Sequence, residues 1–248
     1  MIDIHSHLIP KVDDGSQSLE ESLSLLKQAE QNGITELITT PHFMKNGEFR
    51  TKAPELVQRF SELKQAYKRP IKLHLGNELY IHPDLPELLG KDKILTLAES
   101  DYILVEFPFQ NYKDEYDEIL YELALRYRII IAHPERYNFV QDDPNFCLRW
   151  LNEGYYLQAN QNSLFKKETN KTLIPMIEHG FISFIASDAH NQHRNLMLKS
   201  AIQLITNELG EEKARLLFKE NPKAVINNQK LRNSEYKKIK KKSFLFWK

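Results

Sequence analysis

The chain has 248 residues, 41% hydrophobic and 27% charged, with 34 Lys or Arg offset by 34 Asp or Glu. This is the make-up of an ordinary soluble globular protein, large enough for one α/β domain or two small ones around a substantial core. No apolar run is long enough to span a bilayer, no signal peptide is read at the start, and the lone Cys147 rules out an internal disulfide, so a cytoplasmic location is expected.

The neutral total hides an asymmetry. Residues 230–248 carry eight Lys or Arg and one acid, Glu235, a net +7 that leaves −7 on residues 1–229. An acidic body argues against a nucleic-acid surface spread over the protein and suits a site that gathers carboxylates around cations.

In chain order, strand and helix signals alternate. Met1, Ile2 and Ile4 open a strand running into Asp3-Ile4-His5-Ser6-His7, where a two-residue period aims His5 and His7 at one face. Asp13-Asp14-Gly15 closes the turn that follows, with Asp13 read as a turn residue. Ser18-Leu19-Glu20-Glu21 reads as a capping box for a helix that Gly33 ends. Residues 34–40 form a second strand, finishing at Thr40-Pro41-His42. After a loop with Asn46-Gly47, Leu56, Phe60, Leu63 and Tyr67 mark an amphipathic helix. Ile71, Leu73 and Leu75 alternate as a third strand ending at Gly76-Asn77-Glu78.

Residues 79–100 read as irregular, interrupted by Pro83, Pro86 and Gly90. A fourth strand covers 102–107 and ends around Glu106. A helix through Tyr116, Ile119, Leu120, Leu123 and Tyr127 leads to a fifth, fully apolar strand at 129–132 and then to His133-Pro134-Glu135-Arg136-Tyr137. A helix at 145–152 and a short sixth strand at 155–159 follow. Pro175 requires the next helix, around 173–179, to start or kink there. The seventh strand, 181–186, ends at Ser187-Asp188-Ala189-His190, and two helical patterns cover 195–209 and 211–219.

Seven alternations with apolar strands predict a closed or nearly closed parallel barrel. His5/His7, His42, Glu78, Glu106, His133 and Asp188/His190 each fall at or just past the C-terminal end of a different strand. Those ends share one rim, where barrel active sites sit. Imidazole and carboxylate donors without thiolate favour zinc, manganese or iron, and their number exceeds the needs of one ion. Clustered metals serve phosphate-ester hydrolysis, and Arg136 and Arg194 supply guanidinium forks for phosphate oxygens. The residues therefore point to a multinuclear metallophosphatase or phosphodiesterase.

The combined motif set resembles the polymerase-and-histidinol-phosphatase (PHP) superfamily over residues 1–225. Asp13-Asp14-Gly15 and His133-Pro134-Glu135-Arg136-Tyr137 resemble its bacterial CpsB/CapC branch of metal-dependent protein-tyrosine phosphatases of capsule and exopolysaccharide systems. The resemblance implies a distorted (β/α)7 barrel with a trinuclear site, manganese foremost and iron or zinc possible. His5, His7, Glu78 and Asp188 would hold one ion, Glu78, Glu106 and His133 a second, and Asp14, His42 and His190 a third. Arg136, Arg194 and Asp188 would carry the chemistry, and the substrate would be a phosphotyrosine protein such as a bacterial tyrosine autokinase, with no nucleic acid partner.

His74, His82, His179 and His193 read as structural or solvated, Glu135 as structural, and Gln158 and Asn160 as rim residues able to contact ligands or substrate. Cysteine-based phosphatase chemistry is disfavoured, since a Cys-x5-Arg loop from Cys147 meets Glu153 where it needs arginine. The alternatives are a phosphomonoesterase for a small metabolite such as histidinol phosphate, a nuclease-type member, and a silent module that binds a kinase. Residues 1–229 are expected as the phosphatase domain. Residues 230–248 are expected as a flexible, solvated tail, whose basic cluster and Phe244, Phe246 and Trp247 leave weak membrane contact as the lesser reading.

Overall fold

The computed structural model describes residues 1–91, 93–231 and 235–240. The strands are β1 Ile2–Asp3, β2 Glu36–Thr39, β3 His42–Phe43, β4 Lys72–Leu75, β5 Glu78–Tyr80, β6 Tyr102–Glu106, β7 Arg128–Ala132, β8 Tyr156–Asn160 and β9 Phe184–Ala186. The helices are α1 Leu19–Gln31, α2 Ala53–Ala66, α3 Leu85–Gly90, α4 Glu115–Ala124, α5 Asn138–Asp142, α6 Leu148–Asn152, α7 Lys167–Glu178, α8 Leu198–Leu209, α9 Glu211–Arg215 and α10 Asn221–Ile226.

All strand pairs are parallel, in the orders β1-β2-β4 and β3-β5-β6-β7-β8-β9. The two sheets are parts of one wall. β2 continues past Thr40-Pro41 into β3, and β4 past Gly76-Asn77 into β5. Gly76 N donates to Thr39 O (3.0 Å) and Glu78 N to Pro41 O (3.2 Å), so the ladder persists across both breaks. Nine segments thus occupy seven strand positions. The ring closes where Ser6 bridges Ala189 in parallel, with Asp188 N on His5 O and His7 N on Ala189 O, both 2.8 Å.

Side-chain alternation divides the core into two layers. Ile2, Ile4, Ile38, Leu104, Ile130, Ala132, Phe184 and Ala186 fill the barrel, with Leu97, Val225 and Leu231 joining them. Ile103, Val105, Ile129, Ile131, Leu157 and Ile185 pack outward against the helices. Among the described residues no helix is long and apolar enough to cross a membrane.

Some elements depart from the sequence reading. α3 occupies part of the stretch read as irregular, because Pro86 lies in its first turn, where the missing N–H costs no helical bond. α7 begins at Lys167 and runs through Pro175, so the proline does not start it. Ser18 caps α1 as its spacing requires, accepting from Glu21 N.

The described part of the basic tail lies on the body. Tyr236 donates its hydroxyl to Leu151 O and Asn152 Oδ1, Lys237 N donates to His179 O, and the Asn145 amide both accepts from Ile239 N and donates to Ile239 O. The Phe244–Trp247 cluster lies outside the described residues. Gly180, at φ +78°, makes room for this strap: a Cβ there would sit 2.4 Å from the Glu235 carbonyl oxygen. Gly180→Ala should lower stability by about 1–2 kcal/mol through the left-handed backbone alone, and by more where the strap must shift. Urea unfolding of this variant in the full chain and in a chain ending at Gln229 separates the two costs. Equal losses would show that the strap does not bear on Gly180.

Candidate metal centre

The rim gathers every predicted ligand. His5 and His7 follow β1, His42 begins β3, Glu78 begins β5, Glu106 ends β6, and His133, Asp188 and His190 follow β7 and β9. Asp14, half exposed, comes from the turn after β1 and reaches His42 Nε2 and His190 Nε2, each 3.5 Å from its Oδ1.

Glu78 is the hub. Its Oε2 lies 3.3 Å from both His5 Nε2 and His7 Nε2 and 2.9 Å from His42 Nδ1, while Oε1 lies 3.0 Å from His133 Nε2. Glu106 stands behind, 3.5 Å from His133 Nε2 and 3.8 Å from His42 Nδ1. Asp188 faces two ways. Its Oδ1 is 3.4 Å from His5 Nε2 and His190 Nδ1 and 3.5 Å from His7 Nε2. Its Oδ2 accepts from Arg136 Nη1 (3.0 Å), Arg194 Nη2 (2.7 Å) and Asn160 Nδ2 (2.6 Å).

Three groups of donor atoms lie within 4.8 Å of one another, the spacing at which one ion could be shared: His7, Asp14, His42 and His190; His5, His7 and Asp188; and His42, Glu78 and Glu106. The partition differs from the resemblance-based one in placing His7 and His42 in two groups each, Glu78 in one group instead of two, and His133 in none.

Supporting residues fix these rings. Gln158 Oε1 meets His5 Nδ1 at 2.8 Å, and Asp13 Oδ2 meets His7 Nδ1 at 2.6 Å, so both histidines turn Nε2 toward the centre. Asp13 also accepts from His42 N and Gly15 N, which makes it far more than a turn residue. Gly15 is required for this packing, since a Cβ would fall 2.2 Å from His7 O. His133 (φ 30°) and Asp188 (φ 50°) hold left-handed backbones, strain of the kind that clusters at functional sites. The histidines set aside by the sequence reading stay apart: His74 pairs with Glu36, His82 with Asn46, His179 with Pro175 O, and His193 is exposed. Glu135, fully buried, accepts from Asn160 N.

The family model for capsular polysaccharide synthesis, CpsB/CapC, matches residues 1–227. The chain belongs to the CpsB/CapC family. It is 34% identical over 241 residues to the tyrosine-protein phosphatase CpsB of Streptococcus agalactiae, covering 92% of this chain and 99% of that one. It is 32% identical over 237 residues to the tyrosine-protein phosphatase YwqE of Bacillus subtilis, covering 92% of each. A crystal structure from work on B. subtilis YwqE and Streptococcus pneumoniae CpsB, described as unique metal-dependent tyrosine phosphatases, superposes with a TM-score of 0.92 at 30% identity, over 97% of this chain and 100% of that one.

The electrostatics of this CpsB/CapC rim suit cations. Burial disfavours a charged His5, yet the Glu78 and Asp188 carboxylates outweigh it and raise its pKa to about 9. His42 rises to about 10, as Glu78 and Glu106 overcome its burial. Burial and the Glu78 charge push Glu106 up to about 8, whereas the surrounding imidazoles overcome burial and hold Glu78 well below its usual range. Four of the six buried polar atoms that make no hydrogen bond among the described residues belong here: His133 Nδ1, His190 Nε2, and His42 Nδ1 with Glu78 Oε2, which stand 2.9 Å apart without hydrogen-bond geometry. Buried polar groups are normally satisfied, and hard or borderline metal ions would satisfy an N/O set of this kind. The residues fit a metal site.

A testable consequence is proton release. With pKa values raised to about 9 and about 10, His5 and His42 carry protons at pH 7.5 without metal, and ligation requires their loss. Adding Mn2+ to chelated protein should therefore expel protons, read as a dependence of calorimetric heat on buffer ionisation enthalpy. Release should shrink as pH rises through 9 to 10, the values for His5 and His42. Binding without proton release would contradict these protonation states.

Proposed function

We propose that this chain is a metal-dependent protein-tyrosine phosphatase acting on a bacterial tyrosine autokinase of a capsule or exopolysaccharide system, in the cytoplasm. One observation carries the reading. A cavity of about 630 Å³ has His42, Glu78, Glu106, His133 and Asp188 beside Arg136 and Arg194, with Phe49, Tyr80, Phe109 and Tyr116 also lining it. Phosphate chemistry and an aromatic group are thus provided for in one pocket.

We assign three divalent ions, manganese ahead of iron or zinc: His5, His7, Glu78 and Asp188 would hold one, Glu78, Glu106 and His133 another, and Asp14, His42 and His190 the third. The thiolate-free donor set supports this assignment, as does Glu78, whose Oε2 faces His5 and His7 while its Oε1 faces His133. Such ions, when bound, supply an activated water and neutralise charge on the phosphoryl oxygens. Arg136 and Arg194 bind those oxygens, each with N–H groups beyond the one it gives Asp188. Asp188 and Asn160 hold the arginines in place, so the donors need no reorganisation as charge develops. Tyrosine leaves as a phenolate of pKa about 10, which asks less of a general acid than a serine alkoxide does.

The test is phosphate release from a phosphotyrosine peptide by chelated protein with Mn2+, Fe2+ or Zn2+ restored separately, beside histidinol phosphate and a labelled oligonucleotide. Activity should vanish on chelation, return with metal, and favour the peptide. Turnover indifferent to chelation would sink the metal reading. Higher kcat/KM on histidinol phosphate would move the chain to small-metabolite chemistry.

Arg136→Ala should lower kcat/KM on the peptide roughly a hundredfold to a thousandfold, about 2.7–4 kcal/mol, as expected for one preorganised charge-stabilising donor. Metal content should persist, because Arg194 and Asn160 still hold Asp188 Oδ2. Arg136→Lys should recover only part, restoring charge without the fork. Near-wild-type kinetics for the alanine variant would remove Arg136 from phosphate binding, and lost metal would make its role structural.

A further inference from the structure

Two phenylalanines at the rim are held by the site itself. Phe49 sits at the end of a tight turn, closed by Met44 N on Phe49 O at 2.7 Å. Its ring stacks on the His42 imidazole, 5.8 Å between centroids and 13° between planes. Phe109 follows β6, its carbonyl accepting from Asn138 N at 2.8 Å. Its ring stacks on His133, 5.8 Å and 29°, and carries the Arg136 guanidinium 4.8 Å from its centroid. His42 and His133 approach different oxygens of the one Glu78 carboxylate, at 2.9 and 3.0 Å. One ring thus stands beside each of these histidines, and both line the cavity.

Neither ring is explained by the core. Phe109 stays 38% exposed, one of few large apolar side chains so placed, and Phe49 is only partly buried. Exposed apolar surface inside a concave, charged pocket marks a place where a ligand's apolar part is received. The part of a phosphate monoester beside its phosphorus is the alcohol side: a ring in an aryl ester, a single methylene in a seryl one. Aromatic faces gain offset or edge contacts from the ring and little from the methylene.

We propose that Phe49 and Phe109 form a clamp that receives the aryl ring of the substrate, so that these two residues set the preference for aryl over alkyl phosphate monoesters. The proposal rests on the phosphatase reading above. The alternative role for Phe109 is to seat Arg136 alone, which would affect every phosphate ester equally.

Steady-state kinetics on phenyl phosphate and on glycerol 2-phosphate would be compared for wild type, Phe49→Ala, Phe109→Ala and Phe109→Tyr, each with metal content and melting temperature measured. In parallel, titration calorimetry of the manganese-loaded proteins would follow phenylphosphonate against methylphosphonate. Each alanine variant should lower kcat/KM on phenyl phosphate about tenfold more than on glycerol 2-phosphate, mainly through KM, as lost aromatic contacts predict. The affinity ratio of phenylphosphonate to methylphosphonate should fall in step, and Phe109→Tyr should retain both ratios. An unchanged aryl-to-alkyl ratio in loaded, folded alanine variants would overturn the clamp, as would a parallel fall for both esters. If wild type hydrolysed neither ester, the phosphatase reading would fail, and the phosphonate ratios alone would decide the clamp.

Discussion

The Glu78 carboxylate, buried among four imidazoles, constrains everything around it. A buried anion must be paired or neutralised, and Glu78 is held charged by rings drawn from the ends of three other strand positions. Burial, with this charge beside it, raises the pKa of neighbouring Glu106. The strand break at Gly76-Asn77 is part of this arrangement. Asn77 ties both flanks, donating to Pro41 O and accepting from Leu95 N, so the chain can step from β4 to β5 and begin β5 with Glu78.

Asp188 divides the centre into two functions. Its Oδ1 joins the imidazoles, while its Oδ2 is saturated by Arg136, Arg194 and Asn160. A single carboxylate therefore sets the distance between the imidazole cluster and the arginines. It does so from a left-handed backbone that the neighbouring hydrogen bonds over-determine: Asp188 N on His5 O, and Ala189 N on Ser187 Oγ. Beneath lies the apolar inner layer of Ile4, Ile38, Leu104, Ile130 and Phe184, which gives the polar mouth a close-packed floor.

Much of this was legible in the sequence because two periodicities cooperate. Apolar strands announce a parallel barrel, and ligand-type residues recur where each strand stops. What was hidden depended on tertiary geometry. The bond from Gln158 to His5 spans 153 positions, and no local pattern signals it. Asp13 looked like a turn residue because its turn is real; its second role appears only when β3 brings His42 N to the same carboxylate. Positive φ at His133 and Asp188 suits residue types that tolerate it better than most, yet no local pattern in the chain singles out these two positions. The tail's composition reads as solvated, yet Tyr236 and Ile239 find partners on α6 and at Asn145 that only the folded body provides.

The protonation pattern also bears on how the centre survives without its ions. A zinc finger lacking metal unfolds, since the ion supplies most of its folding energy. Here protons substitute. His5 and His42 accept them, and Glu106 keeps one, so at neutral pH the carboxylates face positive or neutral groups. The two histidine values lie above the unfolded value of about 6.5. The stabilisation they give the metal-free protein is complete below that value and is lost as pH rises through about 9 and 10. Glu106 works in the same direction, since a raised carboxyl pKa means that stability falls as pH climbs toward about 8. Alkaline solution thus removes the substitutes and leaves Glu78, Glu106 and Asp188 charged together, the condition in which metal ions are most needed.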